Sequence, residues 1–144
     1  MPPPAYIHRR LRALPLEEQV PTLLRALDQQ KEHPRYQPVD CIGLALGIPL
    51  FPKVAEARWV EGYRLQLRFD NGEAGELDFR AHLDAGRELE RRLLEDEALF
   101  RQFELQEGTI VWPALGREMA DVEGELRFHA FDVDPELLYE WAII

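Results

Sequence analysis

The chain has no serine, two threonines and one cysteine among its 144 residues. A hydroxyl nucleophile is nearly excluded, because Thr22 and Thr109 sit in no nucleophile motif. The lone Cys41 can form neither an intramolecular disulfide nor a cysteine-based metal site, which points to a reducing compartment and so to the cytoplasm. Cys41 lies at an apolar run with Asp40 beside it, which discourages a thiolate, so it reads as buried and inert. Long hydrophobic runs are missing too. The longest, Ile42 to Phe51, is broken by Gly43, Gly47 and Pro49 and falls well short of the ~20 residues a membrane span needs. The start, Met1 to Leu14, carries basic residues but no apolar core of the secretory kind. We expect neither export nor a membrane span. No glycine-rich phosphate loop is present, since no Gly-Lys-Ser/Thr follows Gly43 and Gly47.

What is abundant is acid. The net charge is −10; residues 1–53 hold 7 Lys+Arg against 5 Asp+Glu, and residues 54–144 hold 10 against 22, so +2 and −12 make up the whole. Such a body repels a phosphate backbone, and nucleic-acid binding is not expected except through the basic N-terminal arm. With 46% hydrophobic and 31% charged residues, the composition is that of a globular chain able to bury a core.

Along the chain, prolines 2, 3 and 4 predict an extended, loosely held start through Tyr6. From Leu16, apolar Leu16, Val20, Leu23, Leu24 and Leu27 recur at helical spacing, predicting an amphipathic helix to Lys31, interrupted at Pro21. Pro34 and Pro38 end it, and residues 34–53 read as a connection with at most a short helix over Cys41 to Leu46. From Val54 the period becomes two. Leu65, Leu67 and Phe69 point one way, and Arg64, Gln66 and Arg68 the other, as a half-buried strand requires. Glu61-Gly62 and Asp70-Asn71-Gly72 make hairpin turns on either side of it. Helical spacing returns over Arg87 to Phe103, with Asp96 placed to cap a second short helix. Strands follow at Phe103 to Gln106, Thr109 to Trp112 and Leu126 to Phe131. A last helix starts at Asp134 as cap and Pro135 as first residue. The expected fold is α+β: one antiparallel meander sheet of about five or six strands with helices on one face, plus an N-terminal helical extension. We place the boundary between an arm, helix and connection over 1–53 and an α+β domain over 54–144.

Candidate sites are few. His8, His33, His82 and His129 lack metal-ligand spacing. The acidic stretch Asp121, Glu123, Glu125, Asp132 and Asp134 offers oxygen ligands without the ligand order and central glycine of a calcium loop. We expect no metal, cofactor or catalytic residue. Basic Arg9, Arg10 and Arg12, the helix positions Leu16, Val20, Leu23 and Leu27, and Trp141 in the apolar C-terminal end are the candidate partner contacts.

Several motifs in order carry a resemblance: Leu65 to Gly72, Leu77-Asp78-Phe79, Leu94 to Phe100, Gly108 to Pro113, and Asp132 to Tyr139. Together they are similar to the bacterial domain-of-unknown-function 2442 family over residues 54–139. The motif positions Phe69, Gly72, Asp78, Phe100, Trp112, Pro113, Asp132, Pro135 and Tyr139 read as structural. The resemblance implies a compact α+β domain and brings no enzymatic activity with it; its members are uncharacterised, and an antitoxin-like role is suggested because some are encoded beside a small toxin-like protein. The sequence departs from the family pattern in residues 1–53 and in Ala114 to Phe131, inserted between Trp-Pro and Asp-x-x-Pro. The leading expectation is a non-enzymatic interaction module whose partner is another protein or a second copy. The alternative is a small-ligand or metal-binding domain using the inserted loop 114–131, with Asp121, His129 and Asp132. An enzyme using His82 or His129 with carboxylates is the least supported reading.

Overall fold

The computed structural model describes residues 2–144. The fold class is α+β, and the chain divides into two compact units, one running to Pro52 and the other over Lys53–Ile143.

The first unit is helical. Helix α1 spans Pro4–Arg12 and buries Tyr6 and Ile7. This replaces the extended start expected from the prolines; Met1 lies outside the described residues. Pro4 sits in the first helical turn, where a missing N–H costs no intrahelical bond, and Ile7, fully buried, supplies the apolar anchor. Helix α2 spans Leu16–Glu32 and runs through Pro21 without the predicted interruption. Only one ladder bond is lost there, and the next residue, Thr22, adds a bond from its hydroxyl to the Glu18 carbonyl at 2.8 Å. Helix α3, Pro38–Ala45, begins earlier than the expected short helix because Pro38 takes its first position. Gln30 holds the α2–α3 connection, donating to the Tyr36 carbonyl at 2.8 Å. Gly43 lets α3 approach Ile7, whose Cδ1 lies 3.1 Å from where a Cβ would stand.

The second unit opens with strands β1, Val54–Glu61, β2, Arg64–Phe69, and β3, Ala74–Asp78, paired antiparallel in that order. The β2–β3 connection closes at Gly72, whose φ of 88° lies in the left-handed region. Leu65, Leu67, Phe69 and Leu77 are buried, and the other face carries Arg64 against Glu61, Glu76 and Asp78, and Arg68 against Glu56. A 3-10 turn at Phe79–Ala81 follows, capped by Asp78, then helices α4, Glu88–Glu95, and α5, Glu97–Phe100. Asp96 caps α5 as expected, accepting from the Leu99 N–H at 3.1 Å. Strands β4, Glu104–Gln106, β5, Thr109–Ala120, and β6, Leu126–Val133, form a second sheet in that order, and helix α6, Pro135–Ile143, closes the unit. The Asp134 carboxylate accepts from the Glu136 N–H at 2.9 Å, so the predicted cap and first-turn proline of α6 are in place.

The expected single meander sheet is therefore two three-stranded antiparallel sheets. One backbone bond, from the Val54 N–H to the Gly108 carbonyl at 2.8 Å, links the start of β1 to the β4–β5 turn. A register irregularity between Val54 and Glu56 then turns β1 away, and the three-residue β4 is too short to carry a longer ladder.

Aromatic side chains fill the core of this unit. Phe100 touches Tyr63, Phe79 and Trp112, with ring centroids 4.9, 5.3 and 5.8 Å apart. The Trp112 indole donates to the Phe100 carbonyl at 2.8 Å, so its one polar atom is satisfied although fully buried. The Tyr63 hydroxyl donates to the Leu94 carbonyl at 2.9 Å, fixing α4 to the same cluster.

Candidate functional site

Residues 1–53 supply the largest set of candidate contacts. Helix α2 faces α3 with its small residues, Thr22 and Ala26, which are buried. Small side chains at i and i+4 let the two helices approach closely. The larger apolar residues are thereby turned outward. Leu16, Val20, Leu23, Leu24 and Leu27 are exposed by between 40% (Leu23) and 77% (Leu16), and at 100° per residue they share one side of the helix. Beside this stripe runs a groove of about 300 Å³ lined by Leu23, Ala26, Leu27 and Gln30 of α2 and by Pro38 and Ile42 of α3. Its lining is apolar apart from Gln30, whose side chain is engaged by the Tyr36 carbonyl. Isolated exposed leucines are ordinary, but a contiguous stripe over three turns beside an apolar groove has the form of a recognition face.

The basic residues of α1 are less free than their sequence implies. Arg9 and Arg10 place their guanidinium carbons 5.5 and 5.6 Å from the centre of the Tyr6 ring, and Arg10 donates to the Tyr6 hydroxyl at 2.7 Å. With Arg12 they form the last turn of α1, where cations complement the helix dipole. Trp141 of α6 stacks on His82, centroids 4.8 Å apart and planes 11° from parallel, so an intramolecular contact already occupies it.

The inserted segment 114–131, expected as a loop apart from the strand at Leu126 to Phe131, is a β-hairpin whose second arm is that strand, within β6. β5 and β6 pair from Gly116 with Ala130 to Ala120 with Leu126, and the register irregularity between Trp112 and Gly116 accommodates Pro113 within the strand. One carboxylate clasps the tip: Asp121 Oδ1 accepts from the N–H groups of Glu123 and Glu125, both at 2.9 Å, and its Oδ2 pairs with Arg127 at 3.0 Å. The oxygens of Asp121 are thus engaged by its own loop. His129 stands opposite Arg117, and Asp132, an odd number of residues further along β6, points to the other face. The strand does not gather Asp121, His129 and Asp132 into one site, and among the described residues no group of three or more His, Cys, Asp or Glu could hold a metal ion.

Most of the motif positions make packing or capping contacts. Phe69 meets Tyr139 edge to face at 5.0 Å, and the Tyr139 hydroxyl donates to Glu73 at 2.5 Å. Gly72 makes the hairpin turn, Asp78 caps the 3-10 turn, and Phe100 and Trp112 lie in the aromatic cluster. Pro113 lies at the β5 irregularity, Asp132 is exposed on β6, and Pro135 opens α6. Burial and the adjacent Asp40 push the Cys41 thiol up, away from reactivity.

The candidate contacts Leu16, Val20, Leu23 and Leu27 left out Leu24, which shares their helical spacing, and Pro38 and Ile42 of the groove wall, all of which extend the same face. The available signal was the small pair Thr22 and Ala26, which marks the inward side of α2 and leaves the leucines outside.

No helix among the described residues is long and apolar enough to cross a membrane. No curated protein and no solved structure matches the chain. The family model described as Protein of unknown function (DUF2442) matches residues 54–143, a span that includes both sheets and the aromatic cluster, and the chain belongs to that family.

Proposed function

We propose that this protein is a non-enzymatic interaction module that binds a protein partner, another chain or a second copy of itself, through the α2 face. The exposed stripe of Leu16, Val20, Leu23, Leu24 and Leu27 beside the apolar groove supports this reading. Burying such a stripe is favourable at about 25 cal/mol per Å² of apolar surface, offset by the cost of association. The family membership of residues 54–143 and the α2 face together favour an antitoxin-like role, in which the module holds a partner protein through that face. A reducing, cytoplasmic setting suits the single buried Cys41.

The test is capture from lysate of the native host with the full-length tagged chain, beside a Leu23→Glu/Leu27→Glu variant. The expected result is a stoichiometric companion, or an untagged copy of the chain, that is lost with the variant. Identical recovery with both forms, or none with either, counts against the proposal.

A further inference from the structure

We infer that the α2 face is occupied by a second copy of this chain, laid antiparallel across it. The inference rests on reading α2 as the docking face and names its occupant. The stripe is self-complementary in that direction. With a two-fold axis between Leu23 and Leu24, Leu23 faces the partner's Leu24 and Val20 faces the partner's Leu27. Leu16 then lies along the alkyl stem of the partner's Lys31. Charge follows the same pairing. Glu17 stands in the first turn and Lys31 in the last, so each Glu17 comes beside the partner's Lys31 and two ion pairs close the ends. A parallel arrangement would instead set Glu17 against the partner's Glu17 and align the helix dipoles unfavourably.

The stripe alone covers less than a standard interface, and the groove beside it supplies further apolar surface. At the exposures of the five apolar side chains, roughly 500 Å² is available per copy before the groove is counted, against about 800 Å² per partner in a standard interface. Pro38 and Ile42 in the groove wall extend the surface toward that value. The small-residue side of α2 is turned to α3, so docking on the stripe requires no unfolding of the α2–α3 contact.

The experiment is sedimentation velocity on the full chain across a dilution series, with Leu23→Glu, Glu17→Lys, Lys31→Glu and the double Glu17→Lys/Lys31→Glu. The wild type is expected to pass from the 16.8 kDa monomer to twice that mass. Leu23→Glu is expected to raise the dissociation constant at least ~100-fold. Each single reversal is expected to raise it about 10-fold at low salt, with the double variant returning close to wild type. All three substituted positions lie on the surface of α2, and circular dichroism verifies that the variants remain folded. A wild type that stays monomeric at every concentration, a dimer indifferent to Leu23→Glu, or a double reversal no better than the singles overturns the inference. The wider reading fails by a different sign, when α2 substitution leaves host-lysate capture unchanged. A host protein that binds a monomeric chain in a Leu23-dependent way overturns self-docking while preserving that reading.

Discussion

Replacing Leu24 by alanine is expected to cost the fold less than about 1 kcal/mol, and the size of that cost tests whether the apolar side of α2 faces solvent. Leu24 is 57% exposed, so about two-fifths of its side chain is covered. Full burial of a leucine contributes about 1.5–3 kcal/mol, and the covered fraction scales this to roughly 1 kcal/mol. No closed cavity forms, because water enters the vacated space, and the better helix propensity of alanine returns a few tenths. Ile7→Ala is the control within the same unit. Ile7 is fully buried and contacts α3, so its truncation leaves a cavity and is expected to cost about 2–5 kcal/mol. The assay is urea unfolding in dilute protein, where self-association does not contribute, followed by far-ultraviolet circular dichroism. A Leu24→Ala cost equal to that of Ile7→Ala would mean that the stripe is a packed core face, and the docking argument would fall.

Gly75→Ala is expected to destabilise the second unit by about 1–3 kcal/mol. A Cβ at Gly75 would stand 2.4 Å from the Ala142 carbonyl oxygen, forcing the last turn of α6 off β3; urea unfolding measures the change, and one below about 0.5 kcal/mol would contradict it. Cys41 is 1% exposed and its thiol is pushed up by burial and by Asp40. It is expected to react with an aromatic disulfide reagent at least ~100-fold more slowly in the native chain than in denaturant, and comparable rates would contradict its burial. Hydrogen bonding and charge from Arg68 hold the Glu56 carboxyl below its ordinary value of 4.5. The folded value is the lower one, so this contribution is present above pH 4.5 and is lost as pH falls through the folded value. Glu56→Gln is expected to flatten the urea midpoint against pH in that window, and an unchanged slope would contradict the pairing.

The sequence made some of this visible and hid the rest for physical reasons. Strand β2 was legible because one face is buried and the other solvated, so its side chains alternate from Leu65 to Phe69. Asp96, Asp134 and Pro135 were legible because capping is a local interaction. The helix at Pro4–Arg12 was hidden because its prolines act only on local preference, whereas the burial of Ile7 is tertiary. The separation into two sheets was hidden because it turns on how β1 bends after Val54, which alternation alone does not encode. The second arm of the hairpin was legible from Leu126 to Phe131, whereas the extension of β5 to Ala120 was masked by Pro113 and by the exposure of that arm on both faces. At the candidate site, the spacing of Leu16, Val20, Leu23 and Leu27 identified a stripe. Periodicity does not say whether a stripe turns inward or outward; that was decided by Thr22 and Ala26 meeting α3.

The most direct test of the central claim is the mass, by light scattering, of the chain purified gently from its native host beside the Leu23→Glu/Leu27→Glu variant. The account predicts a species heavier than 16.8 kDa for the wild type, as homodimer or complex, and 16.8 kDa for the folded variant. A wild type at 16.8 kDa across all concentrations, with no companion, would contradict it.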